Sequence, residues 1–142
     1  MTLVSLTLAL LAASPSCSGH MLPHQRPDAA SARLVDSAFD AAYTRGDTTF
    51  LRCLLTPDYR GYTLDGVEAD RATELGRAAR SGNPNAPLSS YPTATVEVHG
   101  TSAWVGGPSP MARKRWMDIY RFEDGAWHLF LGIDVKLPPP AS

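Results

Sequence analysis

The stretch RWMDIYRFEDGAWHLFL, from Arg115 to Leu131, decides the fold because it predicts a β-hairpin. Asp124-Gly125, between two alternating runs, is the kind of dipeptide that favours a two-residue hairpin loop. Counting outward from that loop gives one face with four cross-strand pairs: Phe122 with Trp127, Tyr120 with Leu129, Asp118 with Leu131, and Trp116 with Ile133. The hairpin therefore places one carboxylate, Asp118, among aromatic and aliphatic side chains.

The other face of the same hairpin is mixed and largely polar. Its predicted pairs are Arg121 with His128, Ile119 with Phe130, and Arg115 with Asp134. A sheet with one apolar face buries that face under helices, so Asp118 should point inward. This holds only for a two-residue loop, because a slip by one residue reverses every side chain.

Three helices are predicted before this hairpin. Apolar residues at helical spacing indicate the first, which Asp28 or Ser31 can cap and Gly46 can end; its apolar face comprises Leu34, Val35, Ala38, Phe39, Ala42 and Tyr43. Asp47 caps a short second helix, and a third is predicted from about residue 68 to residue 79.

The remaining segments predict strands and loops. Residues 58–66 indicate a strand that ends in an Asp-Gly turn, and TATVEVHG with SAWVGG indicates a second hairpin. Residues 81–90 have the composition of a loop. Helices followed by an antiparallel sheet indicate an α+β domain with its helices on one sheet face.

Composition limits the classes of function. The chain has 142 residues, of which 44% are hydrophobic, and a single compact domain is expected. A formal net charge of -1 provides no basic surface for nucleic acid. Small molecules or other proteins are the expected partners, and we expect no cofactor.

The first 19 residues have the order of a signal peptide. An apolar run over residues 2–13 precedes small residues, and it is too short to span a bilayer. We therefore expect export to the periplasm or the medium, with residues 20–27 as a linker, 28–137 as the domain and 138–142 as a Pro-rich tail. Because no Lys or Arg precedes the run, a cytoplasmic location stays open.

The two cysteines do not indicate a disulfide framework. Cys17 would leave with a signal peptide of 19 residues, which leaves Cys53 alone. Cys53 lies in the apolar stretch FLRCLL, where a buried inert thiol is expected.

Asp118 is the residue that points to chemistry. An isolated ionised carboxylate in an apolar setting is costly, so the site must provide hydrogen-bond donors, hold water or raise the pKa of the acid. One interpretation is a pocket acid or hydrogen-bond donor between sheet and helices. The alternative is a structural Asp that is bonded to a Tyr hydroxyl or to backbone amides.

Other catalytic classes find no support. The four histidines lack the spacing that places two ligands on one metal, and we predict no metal site. No serine lies in a Gly-flanked nucleophile turn, and no glycine loop is followed by a helix that could hold a phosphate.

Taken together, AYTRGDTTFLRCLLTPDYRGYTLDG, VEVHGTSAWVGG and RWMDIYRFEDGAWHLF resemble the NTF2-like superfamily, in particular its SnoaL-like and DUF4440-type domains. The resemblance covers about residues 28–137. It implies a cone-shaped α+β fold in which a curved antiparallel sheet wraps three helices of the N-terminal half around a pocket. It also implies a homodimer formed through the outer sheet face.

Within that superfamily, Asp118 falls where ketosteroid isomerases carry a protonated oxyanion-hole aspartic acid. Their helix-one tyrosine falls on Phe39 and their general-base aspartate falls near Thr63, so steroid isomerisation is not expected. Tyr43, one helical turn after Phe39, could replace the missing hydrogen-bond donor.

Three functions remain open at this point. The first is an exported domain that binds a small apolar or amphipathic molecule through five residues, namely Phe39, Tyr43, Trp116, Asp118 and Tyr120. The second is an isomerase, cyclase or dehydratase that uses Asp118 as its catalytic acid or base. The third is a homodimeric interaction module with a vestigial pocket, whose functional surface is the outer sheet face with Met117, Ile119 and Phe130.

Overall fold

The computed structural model describes residues 17–88, 93–109 and 113–138. Three helices and six strands follow one another in the order α1 (Ala29–Arg45), α2 (Thr48–Leu54), β1 (Leu55–Tyr62), β2 (Glu68–Asp70), α3 (Arg71–Ser81), β3 (Thr95–His99), β4 (Ser102–Pro108), β5 (Lys114–Glu123) and β6 (Ala126–Lys136). The α+β class predicted from the sequence is confirmed.

The first two helices are bounded by the residues that the sequence indicates. Asp28 caps α1, where its Oδ1 accepts a hydrogen bond of 2.8 Å from the backbone N–H of Ser31. Gly46 ends α1 in the left-handed conformation, with φ of 76°. Asp47 then caps α2 by accepting from the N–H of Phe50. The chain therefore turns between α1 and α2 through one C-cap and one N-cap.

The six strands form one mixed sheet in the order β2-β1-β6-β5-β4-β3. All neighbours pair antiparallel except β1, which runs parallel to β6. The sequence predicts a wholly antiparallel sheet, and the parallel pairing of β1 with β6 differs from that prediction. The two strands are not consecutive, because β2, α3, β3 and β4 lie between β1 and the β5–β6 hairpin. The short strand β2 precedes α3, which begins at Arg71 and ends at Ser81.

The last hairpin has the predicted loop but not the predicted register throughout. Phe122 pairs with Trp127 and Tyr120 with Leu129, as expected. Beyond that point Phe130 is an extra residue on β6, a β-bulge, so Asp118 pairs with Gly132 and Trp116 with Asp134. The residues of β5 keep their predicted faces, whereas those of β6 beyond the bulge change theirs.

The core lies between the inner sheet face and the helices. Its largest fully buried side chains come from α1, α2 and strands β4 to β6: Val35, Leu51, Leu54, Val105, Tyr120, Trp127 and Leu129. Tyr120 and Trp127 belong to the aromatic face that the hairpin pattern predicts, and both are inaccessible to solvent. No helix in the described ranges is long and apolar enough to cross a bilayer.

The segment before α1, expected as a linker, packs against the domain. Met21 and Leu22 contact the core. The backbone N–H of Trp127 donates to Oε1 of Gln25 at 2.8 Å, and its indole N–H donates to the carbonyl of Arg26 at 2.9 Å. This segment therefore covers the end of the sheet at which the β5–β6 hairpin turns.

The interpretation of the cysteines is wrong. Cys17 and Cys53 form a disulfide bond, with their Cα atoms 5.5 Å apart and 36 residues between them in sequence. Cys53 is half-buried at the end of α2 and is not an inert core thiol. The sequence pattern missed this bond because it depends on the N-terminal segment folding back onto the domain.

Candidate functional site

A cavity of about 540 Å³ lies between the inner face of the sheet and the helices α1 and α3. Aromatic residues form much of its wall: Phe39, Tyr43, Tyr59, Tyr62 and Trp116. Charged residues also line it: Asp36, Asp40, Glu74, Arg77, Lys114, Asp118 and Asp134. A concave space of this size with a few convergent polar groups is typical of small-molecule sites.

Four of the five residues predicted to bind a ligand line this cavity. Phe39 and Tyr43 contribute from α1, and Trp116 and Asp118 contribute from β5. Tyr120, the fifth, lies in the core and does not reach the cavity, because its ring is fully buried. Its hydroxyl acts on the cavity only through a neighbouring acid.

That neighbouring acid is Asp36 of α1, which is buried. The hydroxyl of Tyr120 donates a hydrogen bond of 2.8 Å to Oδ1 of Asp36. The carboxyl of Asp118 is also hydrogen-bonded to that of Asp36. Two acids from a helix and a strand therefore meet at the inner end of the cavity.

Burial raises the pKa of both acids. Loss of hydration is the main cause of the rise of the Asp36 pKa to about 6; the bond from Tyr120 opposes it, and the charge of Asp40 adds to it. Loss of hydration likewise raises the pKa of Asp118 well above its usual value, and the nearby charges of Asp36 and Asp134 raise it further. Asp118 is shielded from bulk solvent, yet it keeps an accessible surface towards the cavity. The pair holds a proton at a pH at which an exposed aspartate has lost it.

Gly132 leaves space for two polar groups beside this pair. A Cβ atom at Gly132 would lie 3.0 Å from Oδ1 of Asp118 and 3.0 Å from the hydroxyl oxygen of Tyr59. The two oxygens are therefore no more than twice that distance apart. Burial also raises the pKa of the Tyr59 hydroxyl, which stays protonated as a donor. Tyr59 and Asp118 present two adjacent donors on the same side of the cavity.

Two ion pairs lie on the cavity wall. Nζ of Lys114 is 3.1 Å from Oδ2 of Asp134, and Nη1 of Arg77 is 3.3 Å from Oε2 of Glu74. Burial and, to a lesser extent, the nearby acid Glu74 raise the pKa of the Tyr43 hydroxyl to about 12. Of the cavity tyrosines, Tyr59 has its hydroxyl beside Asp118 in the space at Gly132. The role of Tyr43 as a donor stays a prediction.

No family model and no curated protein matches the chain. Many solved structures do. A candidate dehydratase of the NTF2-like family from Streptomyces avermitilis has a TM-score of 0.62 and 19% identity, over 78% of this chain and 96% of its own.

Two further structures have similar scores. An NTF2-like protein from Cytophaga hutchinsonii has a TM-score of 0.59 and 14% identity, over 75% of this chain and 97% of its own. A candidate calcium/calmodulin-dependent kinase II association domain from Exiguobacterium sibiricum has a TM-score of 0.61 and 22% identity, over 81% and 98% of the two chains. The chain has an NTF2-like fold. At such identities the likeness establishes the fold and not the activity, and the SnoaL-like or DUF4440 subtype stays a prediction.

The sequence carries one signal for Asp36, the acid of α1 that the hairpin pattern does not reveal. Asp36 precedes Phe39 by three residues and Tyr43 by seven, so the three share one helical face. This spacing could have placed Asp36 on the cavity side of α1. Thr63, where ketosteroid isomerases have their base, lines the cavity but supplies no acid.

The predicted face of Asp134 is wrong. The two-residue loop predicts that it lies on the outer face opposite Arg115, whereas Arg115 pairs with Val135 and Asp134 lines the cavity of the NTF2-like cone. The bulge at Phe130 causes this change, and the sequence pattern gives no sign of it.

Within the described ranges, no three His, Cys, Asp or Glu side chains converge in a way that could hold a metal ion. The acids of the NTF2-like cavity are distributed over α1, α3, β5 and β6.

Proposed function

We propose that this chain is an exported domain whose cavity binds a small amphipathic molecule. The observation that carries the proposal is the cavity of about 540 Å³, which combines aromatic walls with a carboxyl pair of raised pKa at its inner end. Aromatic rings contribute contact area to an apolar ligand body, and a few polar groups fix its orientation. Asp118 and Tyr59 are the donors that a polar ligand group would meet.

Prodan, a neutral naphthalene dye with one ketone, tests this proposal. Its emission shifts to shorter wavelength on leaving water, and it accepts energy from nearby tryptophan. We expect saturable binding with energy transfer, and both should weaken in Trp116→Phe because that ring lines the cavity. Trp104→Phe is the matched control, since Trp104 bonds Glu97 outside the cavity. Prodan emission unchanged by the protein would contradict the proposal.

A second candidate function is acid–base catalysis. The carboxyl pair favours this function, since one acid can hold a proton while its partner accepts a hydrogen bond. The pKa of Asp36, about 6, suits a general base near neutral pH. Candidate chemistry includes isomerisation, cyclisation and dehydration, in which a proton leaves one atom and returns to another. Asp118 would then be a catalytic residue.

The base-catalysed ring opening of 5-nitrobenzisoxazole tests this candidate, because it needs only a desolvated carboxylate. We expect a rate that saturates with substrate, rises with pH through the titration of the pair and is lost in Asp36→Asn. Asp65→Asn, which removes an exposed carboxylate from a turn, is the matched control. A rate equal to that of Asp36→Asn at every pH would exclude the pair as a base.

Export is supported by the disulfide. Cys17 and Cys53 form a disulfide. Disulfides form and persist in oxidising compartments such as the periplasm and the medium. A signal peptide of 19 residues would remove Cys17, so we place cleavage before that residue. Expression with the native N-terminus, cell fractionation and intact mass measurement test this. A reduced cytoplasmic protein, or a mature chain that lacks Cys17, would contradict it.

Homodimer formation is proposed through the outer sheet face. Trp104, Ile119 and Leu131 are neighbours on adjacent strands of that face and stay half-buried in the single chain. A second copy would cover these apolar groups.

A further inference from the structure

The cavity carries more acids than bases. Of its charged lining residues within the described ranges, five are carboxylic acids and two are bases. The bases Arg77 and Lys114 pair with Glu74 and Asp134. The other three acids of the same wall are Asp36, Asp40 and Asp118.

The aromatic part of the wall has the same preference. Phe39, Tyr43, Tyr59 and Trp116 line the space that the acids face. Aromatic ring faces carry partial negative charge, so they attract cations and above all organic ammonium groups. Both components of the wall therefore favour positive charge, while the rings also accommodate an apolar body.

The acids do not favour a metal ion. A metal needs ligand atoms that converge on one point, and the described residues provide no such cluster. A cation with an apolar body of several carbons would instead fill the cavity of about 540 Å³ and meet acids on more than one side.

We propose that the ligand of this cavity is an amphipathic amine, whose ammonium group lies near Asp36 and Asp118 and whose apolar body contacts Phe39 and Trp116. The inference rests on the proposed function, because it names the chemical class of ligand for the same cavity. Binding of an amine differs from binding of a neutral ligand in one consequence, which is the release of a proton from the carboxyl pair.

An ammonium group beside the carboxyl pair stabilises its ionised form and lowers the pKa of both acids. Binding therefore releases a proton wherever the free pair still holds one, and affinity for the amine rises with pH until the free pair has ionised. The titratable and charged groups that face the pair come from every surrounding element: Arg33 and Asp40 of α1, Tyr59 of β1, Glu74 and Arg77 of α3, Tyr120 of β5 and Asp134 of β6. Of the acids in the cavity, Asp36 has the pKa, about 6, that places this change near neutral pH.

Three probes of matched shape test the proposal: 4-phenylbutylamine, 4-phenylbutan-1-ol and 5-phenylpentanoate. We measure their affinities by isothermal titration calorimetry at about pH 5 and about pH 8, in buffers of different ionisation enthalpy. At the higher pH the amine should bind at least about tenfold more tightly than the alcohol, which is about 1.4 kcal/mol. This advantage should shrink at the lower pH, where amine binding should release protons. The carboxylate should bind most weakly.

Variants place the effect in the cavity. Asp118→Asn should reduce the amine-to-alcohol affinity ratio several-fold and suppress proton release, while Asp65→Asn removes one exposed carboxylate and should leave both unchanged. Circular dichroism checks that each variant is folded. If Asp118→Asn does not fold, Asp40→Asn provides the same comparison on the facing helix.

The outcomes separate the two levels of the proposal. Alcohol or carboxylate binding as tight as amine binding would overturn the amine class and leave a ligand-binding cavity. Binding of none of the three probes, together with no prodan binding, would overturn the proposed function itself. Amine preference that persists equally in Asp118→Asn and Asp40→Asn would assign the effect to another surface and overturn the inference.

Discussion

The carboxyl of Asp118 on β5 is hydrogen-bonded to the carboxyl of Asp36 on α1, and the hydroxyl of Tyr120 in the core donates a hydrogen bond to Asp36. A strand and a helix that are distant in sequence thus meet through two acids whose hydration is reduced by burial. Such a pair titrates as a unit, because ionisation of one acid opposes ionisation of the other. Most testable properties of the cavity depend on this pair.

Titration of the two acids should occur in sequence. We expect Asp36, with its pKa of about 6, to lose its proton first, and Asp118 to follow at higher pH because burial and two neighbouring acids oppose its ionisation. Carbon-detected NMR of side-chain carboxyls measures both, with Asp118→Asn for assignment. An Asp118 pKa near the usual value of about 4 would mean a solvated carboxylate and would remove the basis for a pocket acid.

The same acids should make the protein less stable as pH rises. A group whose pKa is raised by folding stabilises the folded state below its unfolded pKa, and this contribution is lost as pH rises through the folded pKa. The rise of the Asp36 pKa from 3.8 to about 6 corresponds to about 3 kcal/mol. Urea unfolding from about pH 4 to about pH 8 should show this loss in the wild type relative to Asp36→Asn/Asp118→Asn. If the unfolding free energies of the wild type and the double variant changed in parallel with pH, the prediction would be wrong. The contribution of exposed Asp58, whose pKa is lowered, is the same in both proteins and cancels in the comparison.

Gly132→Ala should disturb the donors beside the pair. The new methyl group would lie 3.0 Å from both Asp118 and Tyr59, so one oxygen or the strand must move, at a cost of about 1–3 kcal/mol in unfolding free energy. Prodan affinity should fall in parallel. Gly107→Ala is the matched control, because its methyl group would meet only ordinary contacts at 3.4 Å and beyond. Equal stability and binding in the two variants would show that the space at Gly132 has no such role.

Loss of the disulfide should lower stability. The bond closes a loop with 36 residues of sequence separation, and a loop of that size stabilises a domain by about 2–4 kcal/mol. We expect reductant to shift the wild-type unfolding midpoint to lower urea while Cys17→Ser/Cys53→Ser does not respond. Free thiols in the purified oxidised protein, counted by alkylation and intact mass, would show that the bond does not form.

The proposed dimer predicts a concentration-dependent mass. Sedimentation analysis should give a dimer at micromolar concentration, and Ile119→Lys should give monomers because it places a charge in the centre of the outer face. Leu34→Lys is the control, since it changes an exposed apolar residue on α1. A monomeric wild type at high concentration would exclude this interface.

The sequence predicts the fold well where structure is local. The caps at Asp28, Gly46 and Asp47 and the loop at Asp124-Gly125 depend on a few adjacent residues, and each is observed. Long-range features were not predictable in the same way. The parallel pairing of β1 with β6 and the approach of Cys17 to Cys53 follow from the path of the whole chain.

The candidate site shows the same division. Alternation along β5 placed Trp116 and Asp118 correctly on the inner face, because that strand has no bulge. Asp134 was placed on the wrong face by a single extra residue in β6. Asp36 could have been found from helical spacing, but its contact with Asp118 requires the packing of α1 across the sheet.

The disulfide also determines what a protease could remove. Because Cys17 and Cys53 are joined, all of α1 lies within a covalent ring, and so do its cavity residues Asp36, Phe39 and Tyr43. Trypsin cleavage after the exposed Arg45 would open this ring without releasing either piece. The nicked molecule would run as one species until a reductant separated the fragments, so this wall of the cavity can be cut and still stay attached.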